Sequence, residues 1–560
     1  MRGTSNMDYN LDAAAYFFHQ GTNYRAYEYM GAHQTDYGGR VFRIWAPNAT
    51  YVALVGDFCG WDAGIPMERI TKGGIWQCTV GGGSWSFGDK YKYKITGSDG
   101  VSRYKTDPYA VFAESLPNGA SIIYDESSYN WRDDGFMAYR RAKTGRMDRE
   151  PLNIYRLSPT RWNGCVGGWS ALARELAPYV KQMGFTHIEL EEITEISLLY
   201  ATTVSMGTPQ EFMSFVDSMH EAGVGVIIDR QMAGGFEEEY GIRLLDGQPL
   251  YEKSDCGPRF AFGRNEVECF LISNAHYWFE RFHIDGLRLC GVEPALSLET
   301  VGFFRKLNAH IKADFPDALV MCDRIADRNN VTNFKNGGLG FDFKLSPYPD
   351  IEGEKYVLSS PPPSSDSSIA RAELGYFMTR QGKKLCEMGT EIGEMTSGAI
   401  DWSVLGLEDR AKFQLYLAEL GQFYLSTPAM WQNESDSEGR IHGDPQKEIV
   451  YFIRTEKDGE EIVVLVNLTS DVNEKYRVGV PTGGTYREIF NSDAPRYGGS
   501  GYLNSEDIKS QIRPWKGQEN SIVVRIAPKS VAVLKRISRS STPSKTNSAT
   551  QTVKKNITIK

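Results

Sequence analysis

The chain is short of paired thiols, of histidine and of long apolar runs. Its eight cysteines, at positions 59, 78, 165, 256, 269, 290, 322 and 386, include no C-x-x-C pair and follow no regular spacing. A disulfide framework or thiolate metal site is therefore not indicated, and free thiols in a reducing compartment are expected. Eight histidines form no ligand-like set, so neither a metal nor a cofactor is expected. No stretch of about eighteen apolar residues occurs, so no membrane span is expected. The opening MRGTSNMDYN lacks a basic start leading into an apolar stretch. No secretion signal is read there, and a cytoplasmic protein is expected. Basic excess is also missing: 62 Lys and Arg against 71 Asp and Glu give a net charge of −9. That argues against a nucleic-acid or anionic-membrane partner.

What is present is an ordinary folded composition, 41% hydrophobic and 24% charged, over 560 residues. That length calls for two to four domains. Residues 1–35 read as a short helical lead. Over 36–127, VFRIWAP, YVALVGDF, GIWQCTV and KYKYKI alternate as strands between Gly- and Asp-rich turns, the pattern of a small antiparallel β-sandwich. From Pro151 the rhythm changes. GFTHIEL, VGVIID, DGLRL and ALVMC are short apolar strands separated by amphipathic helices. This βαβα order implies a parallel sheet, and over 128–438 a closed (β/α)8 TIM barrel is expected. EIVYFIR, EIVVLVNL and SIVVRIAP then mark an all-β domain over 439–536. Residues 537–560 are rich in Ser, Thr and Lys and read as a disordered tail. The expected fold is thus α/β, a barrel flanked by two β domains.

Several segments follow one another in a specific order: GTNYRAYEYMGAH (21–33), FRIWAPNATYVALVGDFCGWD (42–62), PLNIYRLSP (151–159), FGRNEVECFLISNAHYWFERFHIDGLRL, GGLGFDFK, DWSVL (401–405) and YREIFNSDAPRYGGSGYLN (486–504). As an ordered set over roughly residues 20–535 they resemble the glycogen (1,4-α-glucan) branching enzymes of glycoside hydrolase family 13. The resemblance implies cleavage of an α-1,4 link and its re-formation as α-1,6 with retention. Retention needs a carboxylate nucleophile and an acid/base carboxyl about 5 Å apart, with the acid held protonated by its surroundings.

The family's nucleophile strand resembles D-G-L-R-V-D-A-V. Here it reads Asp285-Gly286-Leu287-Arg288-Leu289-Cys290-Gly291-Val292, which places Cys290 in the nucleophile slot. Asp323 falls in the acid/base slot, one methylene shorter than Glu. Arg324 beside it is expected to favour the ionised form. The family's third carboxylate, counted without gaps, becomes Pro363, after Pro361 and Pro362. The histidine five residues beyond Asp229 becomes Gly234. The connection after THIELEEITEI is about ten residues short of a typical one of its kind and lacks the family's sugar-stacking tyrosine. Asp229 and Arg288 match substrate-binding positions, and the same pair can equally be a strand-to-strand ion pair.

Two functions compete. The first is a branching-enzyme homologue without catalysis, binding α-glucan or another enzyme of glycogen metabolism. The second is an active branching or amylase-like enzyme with relocated carboxylates, Glu293 and Asp366 being candidates. Cys290 and Cys322, if on neighbouring strand ends, could pair, bind metal, react or simply pack. In the sandwich, Trp45, Trp61, Trp76 and Trp85 are candidate sugar platforms. Trp45 in WAPNA is expected to be buried, and Trp76 and Trp85 are the substrate-binding candidates.

Overall fold

In the computed structural model, the short strands from Asn153 onward close on themselves. Eight parallel strands form the barrel: β1 Asn153–Leu157, β2 His187–Leu190, β3 Gly225–Gln231, β4 Gly286–Cys290, β5 Leu319–Cys322, β6 Phe343–Ser346, β7 Tyr356–Ser359 and β8 Lys383–Glu387. β8 pairs back onto β1, with Ile154 opposite Leu385 and Arg156 opposite Glu387. The structure describes residues 13–537 except 63, 116–117, 165, 192, 194–197, 233–239, 254–258, 293–296, 324–330, 333–336, 348–354, 395–397, 433–441, 445–448 and 457–458. Gly234, Glu293, Arg324 and nearly all of the 537–560 tail lie outside the described residues. Among the described residues, no helix is long and apolar enough to cross a membrane.

Strand periodicity explains the barrel interior. Side chains two residues apart share a face, so each strand sends one residue to a lower layer and the next-but-one to the mouth. The lower layer is apolar: Ile154, Ile227, Leu319, Met321, Phe343, Val357 and Leu385 pack together. Two residues beyond Ile154, Ile227, Met321 and Leu385 stand Arg156, Asp229, Asp323 and Glu387. The change from apolar to charged along these four strands puts a charged layer at the barrel's C-terminal end, where this architecture builds its sites.

The opposite end is fixed by a second charged group. Arg140, near the end of the helix Asp134–Arg141, donates to Asp285 Oδ1 and to Asp317 Oδ2, both at 2.8 Å. His220 lies between Asp133 Oδ2 at 2.8 Å and Asp285 Oδ2 at 2.9 Å. It sits on the helix Pro209–Glu221, which starts at a capping box of Thr208 and Glu211 with Pro209 in the first turn.

Ahead of the barrel, a four-stranded sheet runs in the order Gly31–Gln34, Arg40–Trp45, Ile75–Val80, Glu68–Arg69. Its first strand lies before residue 36, where the sequence reading starts the sandwich. The facing sheet centres on Lys90–Thr96 and Tyr51–Gly56, and at its edge Thr202–Thr203 pairs in parallel with Phe112–Ala113. Thr202–Thr203 belongs to the short connection after β2, so that segment joins the sandwich. Behind the barrel, a six-stranded sheet and the pair Asn473–Val480 and Asn520–Ile526 enclose a separate core of Tyr451, Val463, Leu465, Val478, Ile522 and Leu534.

Trp76 corrects one expectation. It is 8% exposed, and its Nε1 donates to Ala46 O at 2.9 Å. The cause is the face it takes: Trp76 shares one side of its strand with Cys78 and Val80, all buried, while Gln77 and Thr79 on the other side are half-buried and exposed. Alternation therefore turns Trp76 into the core. Trp45 is also buried and donates to Gly73 O at 3.0 Å. Trp85 is half-buried, at 5.4 Å edge-on to the exposed Phe87 and with the Arg40 guanidinium 4.8 Å from its ring centre. Trp61 is half-buried, its Nε1 bonded to Asp57.

Candidate functional site

The barrel mouth is organised by two guanidiniums. Arg156 on β1 reaches Glu189 at 3.1 Å, Glu191 at 2.5 Å, Asp229 at 3.3 Å and Glu387 at 3.1 Å. Arg288 on β4 reaches Glu189 at 2.7 Å, Asp229 at 3.6 Å and Asp323 at 2.7 Å. Arg161 closes the rim on the second oxygen of Glu191, at 2.8 Å. Each guanidinium thus stands between carboxylates of its two neighbouring strands, Arg156 between Glu387 and Glu189, and Arg288 between Asp229 and Asp323, while Glu189 and Asp229 are adjacent charges of like sign.

Burial works against the charge of both arginines, but the surrounding carboxylates overcome it and raise their pKa values above the ordinary guanidinium value. The carboxyl of Asp229 is pushed well above the usual carboxylate range, first by burial and then by the nearby Glu189. Two carboxylates crowded together in a buried site favour a proton on one of them. Burial raises Glu387 as well.

Cys290 ends β4, opposite Gln231 of β3. Burial, and next the negative charge at Asp229, push its thiol above the ordinary cysteine value. A thiol is nucleophilic as the thiolate, so this environment works against reactivity. Cys290 and Cys322 lie on adjacent strands, with Cys322 opposite Leu289, and no disulfide joins them. The structure therefore contradicts a disulfide between them, because Cys290 extends one residue beyond the paired position and takes the alternate face. Among the described residues no group of three or more His, Cys, Asp or Glu is arranged to hold a metal.

Asp323 sits just beyond β5 with both oxygens engaged. Oδ1 accepts from Arg288 Nη2 at 2.7 Å and Nε at 3.1 Å, and Oδ2 accepts from Gly291 N at 3.1 Å. The cation against this carboxylate is Arg288 of the neighbouring strand. Asp229 and Arg288 are brought together, though Arg288 lies closer to Glu189 and Asp323 than to Asp229.

Pro361 and Pro363 are half-buried and Pro362 is exposed, following β7; no side chain in that run carries a carboxylate. Asp366 has another task. It caps the helix Ser367–Thr379 through Ser368 N and Ile369 N, and pairs with Lys529 of the C-terminal domain at 2.7 Å. A carboxylate committed to a helix cap and a lysine is not placed to attack a sugar at the mouth.

Arg156, Glu189, Glu191 and Glu387 were not picked out from the sequence. The signal available was the repeated spacing in NIYRL and KKLCE, where a charged residue follows an inward apolar one by two positions.

Comparison with known proteins follows this geometry. Residues 29–110 match carbohydrate-binding module 48 (isoamylase N-terminal domain), and residues 441–537 match the alpha amylase C-terminal all-beta domain. The 1,4-alpha-glucan branching enzyme GlgB of Halothermothrix orenii is 33% identical, over 92% of this chain and 97% of its own length. That of Desulfitobacterium hafniense is 32% identical, over 93% and 97%. Among solved structures, a pullulanase of Paenibacillus barengoltzii in complex with maltohexaose and alpha-cyclodextrin superposes with a TM-score of 0.68 at 17% identity, covering 90% of this chain and 95% of that one. A pullulanase of Anoxybacillus complexed with maltotetraose gives 0.67 at 15% identity, over 91% and 87%. These two likenesses concern the fold.

Proposed function

The chain belongs to the 1,4-alpha-glucan branching enzyme family, within the α-amylase group, and we propose that it holds α-glucan without cutting it. One observation carries the reading: the nucleophile slot holds the raised-pKa thiol of Cys290, while Asp323 in the acid/base slot is pinned by Arg288 and Gly291 N. Retaining transfer requires a carboxylate to form the glycosyl intermediate and a second carboxyl free to give up a proton. Neither slot offers this. The only relocated candidate among the described residues, Asp366, is held as a helix cap. Asp229 and Arg288 serve this reading as parts of an ion network that also presents polar groups to a sugar, Asp229 Oδ1 being without a hydrogen-bond partner.

The sandwich, read as residues 36–127, is the proposed polymer-docking part. Its match to a carbohydrate-binding module supports this, as does an outward aromatic group of Tyr37, Trp85 and Phe87, with Tyr37 90% exposed. Aromatic faces hold sugars without carboxylates, and repeated weak contacts along a polymer add up. Affinity electrophoresis of the full chain through glycogen tests it. Trp85→Ala is expected to weaken retention about fivefold, on the scale of roughly 1 kcal/mol for one aromatic face. Unchanged migration of the parent chain in glycogen-containing gels refutes the binding.

A second expectation concerns the slot itself. Cys290→Asp is expected to stay more than about a hundredfold below an ordinary branching enzyme, because Asp323 and the region of Pro363 remain unsuited to the reaction. Recovery to within that margin, measured as branch points formed on amylose, shows that one carboxylate accounted for most of the lost barrier.

A further inference from the structure

Between the sandwich and the barrel lies a cavity of about 200 Å3. Its walls come from the strands Gly31–Gln34 and Arg40–Trp45, the segment 122–127 and the C-terminal end of the helix Asn265–Phe282. None of the charged residues of the barrel mouth lines it. Four buried polar atoms on its lining residues have no hydrogen-bond partner: Tyr109 Oη, Tyr277 Oη, Arg40 Nε and Arg281 Nε. Tyr277 is fully buried and Tyr109 is 5% exposed. Buried donors are normally satisfied, as two nearby tyrosines are. Tyr91 donates to Asp107 and Tyr200 to Phe270 O, both at 2.8 Å. Unmet atoms also occur elsewhere, Tyr251 Oη among them, but these four are on residues around one space.

Charge balance narrows what belongs there. Arg40 and Arg281 are matched by Asp125 and Glu126. His33 is neutral near pH 7, since burial lowers its pKa to about 4, and it is already bonded to Met30 O at 2.7 Å. A bare anion meets two carboxylates and a bare cation meets two guanidiniums. A neutral molecule rich in hydroxyls can accept from the unmet donors and donate to Glu126. The half-exposed ring of Phe87 adds an apolar surface to the lining. The volume is far more than one water requires and lies below the roughly 300 Å3 at which pockets for drug-sized ligands begin.

We propose that this interdomain cavity binds one neutral, polyhydroxylated unit of hexose size, either a free sugar or the end residue of a glucan, with Tyr277 and Glu126 holding its hydroxyls. The site adjoins the polymer platform at Trp85 and shares Phe87 with it, so its test is read on Tyr277 and Glu126 alone. Titration calorimetry of the full chain with D-glucose, maltoheptaose and β-cyclodextrin tests it. Saturable binding of glucose or maltoheptaose is expected, with a Kd on the order of 1 mM. Glucose alone marks a free sugar; maltoheptaose, without β-cyclodextrin, marks a chain end. Tyr277→Phe deletes one unmet hydroxyl and keeps the ring, so it is expected to weaken binding about tenfold with no loss in melting temperature. Glu126→Gln is expected to weaken it similarly. No saturable heat from either ligand leaves the cavity to water and overturns the proposal. So does binding that both substitutions leave intact, or equal heat from β-cyclodextrin insensitive to Tyr277→Phe.

Discussion

Incubated with amylose, the purified chain is expected to leave the iodine colour unchanged, with turnover at least about 10⁴-fold below a functioning branching enzyme. That factor corresponds to roughly 5.5 kcal/mol of barrier. Several defects act on one reaction. On the proposed reading, Cys290 in the nucleophile slot leaves no carboxylate to form the glycosyl intermediate. Asp323 accepts hydrogen bonds on both oxygens from Arg288 and Gly291, so giving a proton to a leaving oxygen requires breaking them. The run Pro361–Pro363 brings no third carboxylate. Asp229 is pushed well above the usual carboxylate range by burial and by Glu189, but it faces Arg156 and Arg288 with no carboxylate nucleophile assigned opposite. Asp323→Ala and Asp229→Asn are therefore expected to leave the null rate unchanged. Turnover that either substitution abolishes, in protein free of contaminating enzyme, shows that the mouth still performs the chemistry.

The sequence made some parts of this site readable and hid others, for reasons that lie in distance and layering. DGLRLC is local: six consecutive residues mark the strand and the position at which the family resemblance sets Cys290. The strands were readable for the same reason, as short apolar runs between helices. Arg156 and Glu387 were harder, because they meet only when β8 closes onto β1 and stand 231 positions apart. Trp76 was placed on the wrong side against a local signal, since alternation in GIWQCTV sets it with Cys78 and Val80 and opposite the polar Gln77 and Thr79. Asp366 looked like a spare carboxylate until Lys529, from another domain, was found against it. Thr202–Thr203 carries no strand signal of its own and is ordered by Phe112–Ala113. Chemistry confined to one strand was legible; chemistry assembled from distant segments was not.

His220→Gln is expected to cost about 3–5 kcal/mol, more than the usual point substitution. His220 is fully buried on the face of Phe136, with ring centres 4.2 Å apart, and bridges Asp133 and Asp285. Burial opposes its charge, but the two aspartates overcome this and lift its pKa to about 9. Asp285 is held well below the usual carboxylate range despite its burial, chiefly by His220 and Arg140. Removing the imidazolium leaves two buried carboxylates short of a cation at the point where β3, β4 and the helix Pro209–Glu221 are joined. The sign follows from these shifts. The pKa of His220 is raised on folding, so its stabilisation is complete below its unfolded value of about 6.5 and is lost as pH rises through about 9. The pKa of Asp285 is depressed, so its stabilisation is present above about 4 and is lost as pH falls toward its folded value. The parent chain should therefore melt highest between about pH 4.5 and 6.5 and lose stability as pH rises from there to about 9. His220→Gln should melt several degrees lower at pH 7 and show a shallower alkaline decline, because the group that titrates there is gone. Scanning calorimetry across that range measures both. A variant that melts within about a degree of the parent at pH 7, with the same alkaline limb, shows that the imidazolium between Asp133 and Asp285 contributes little to holding the barrel together.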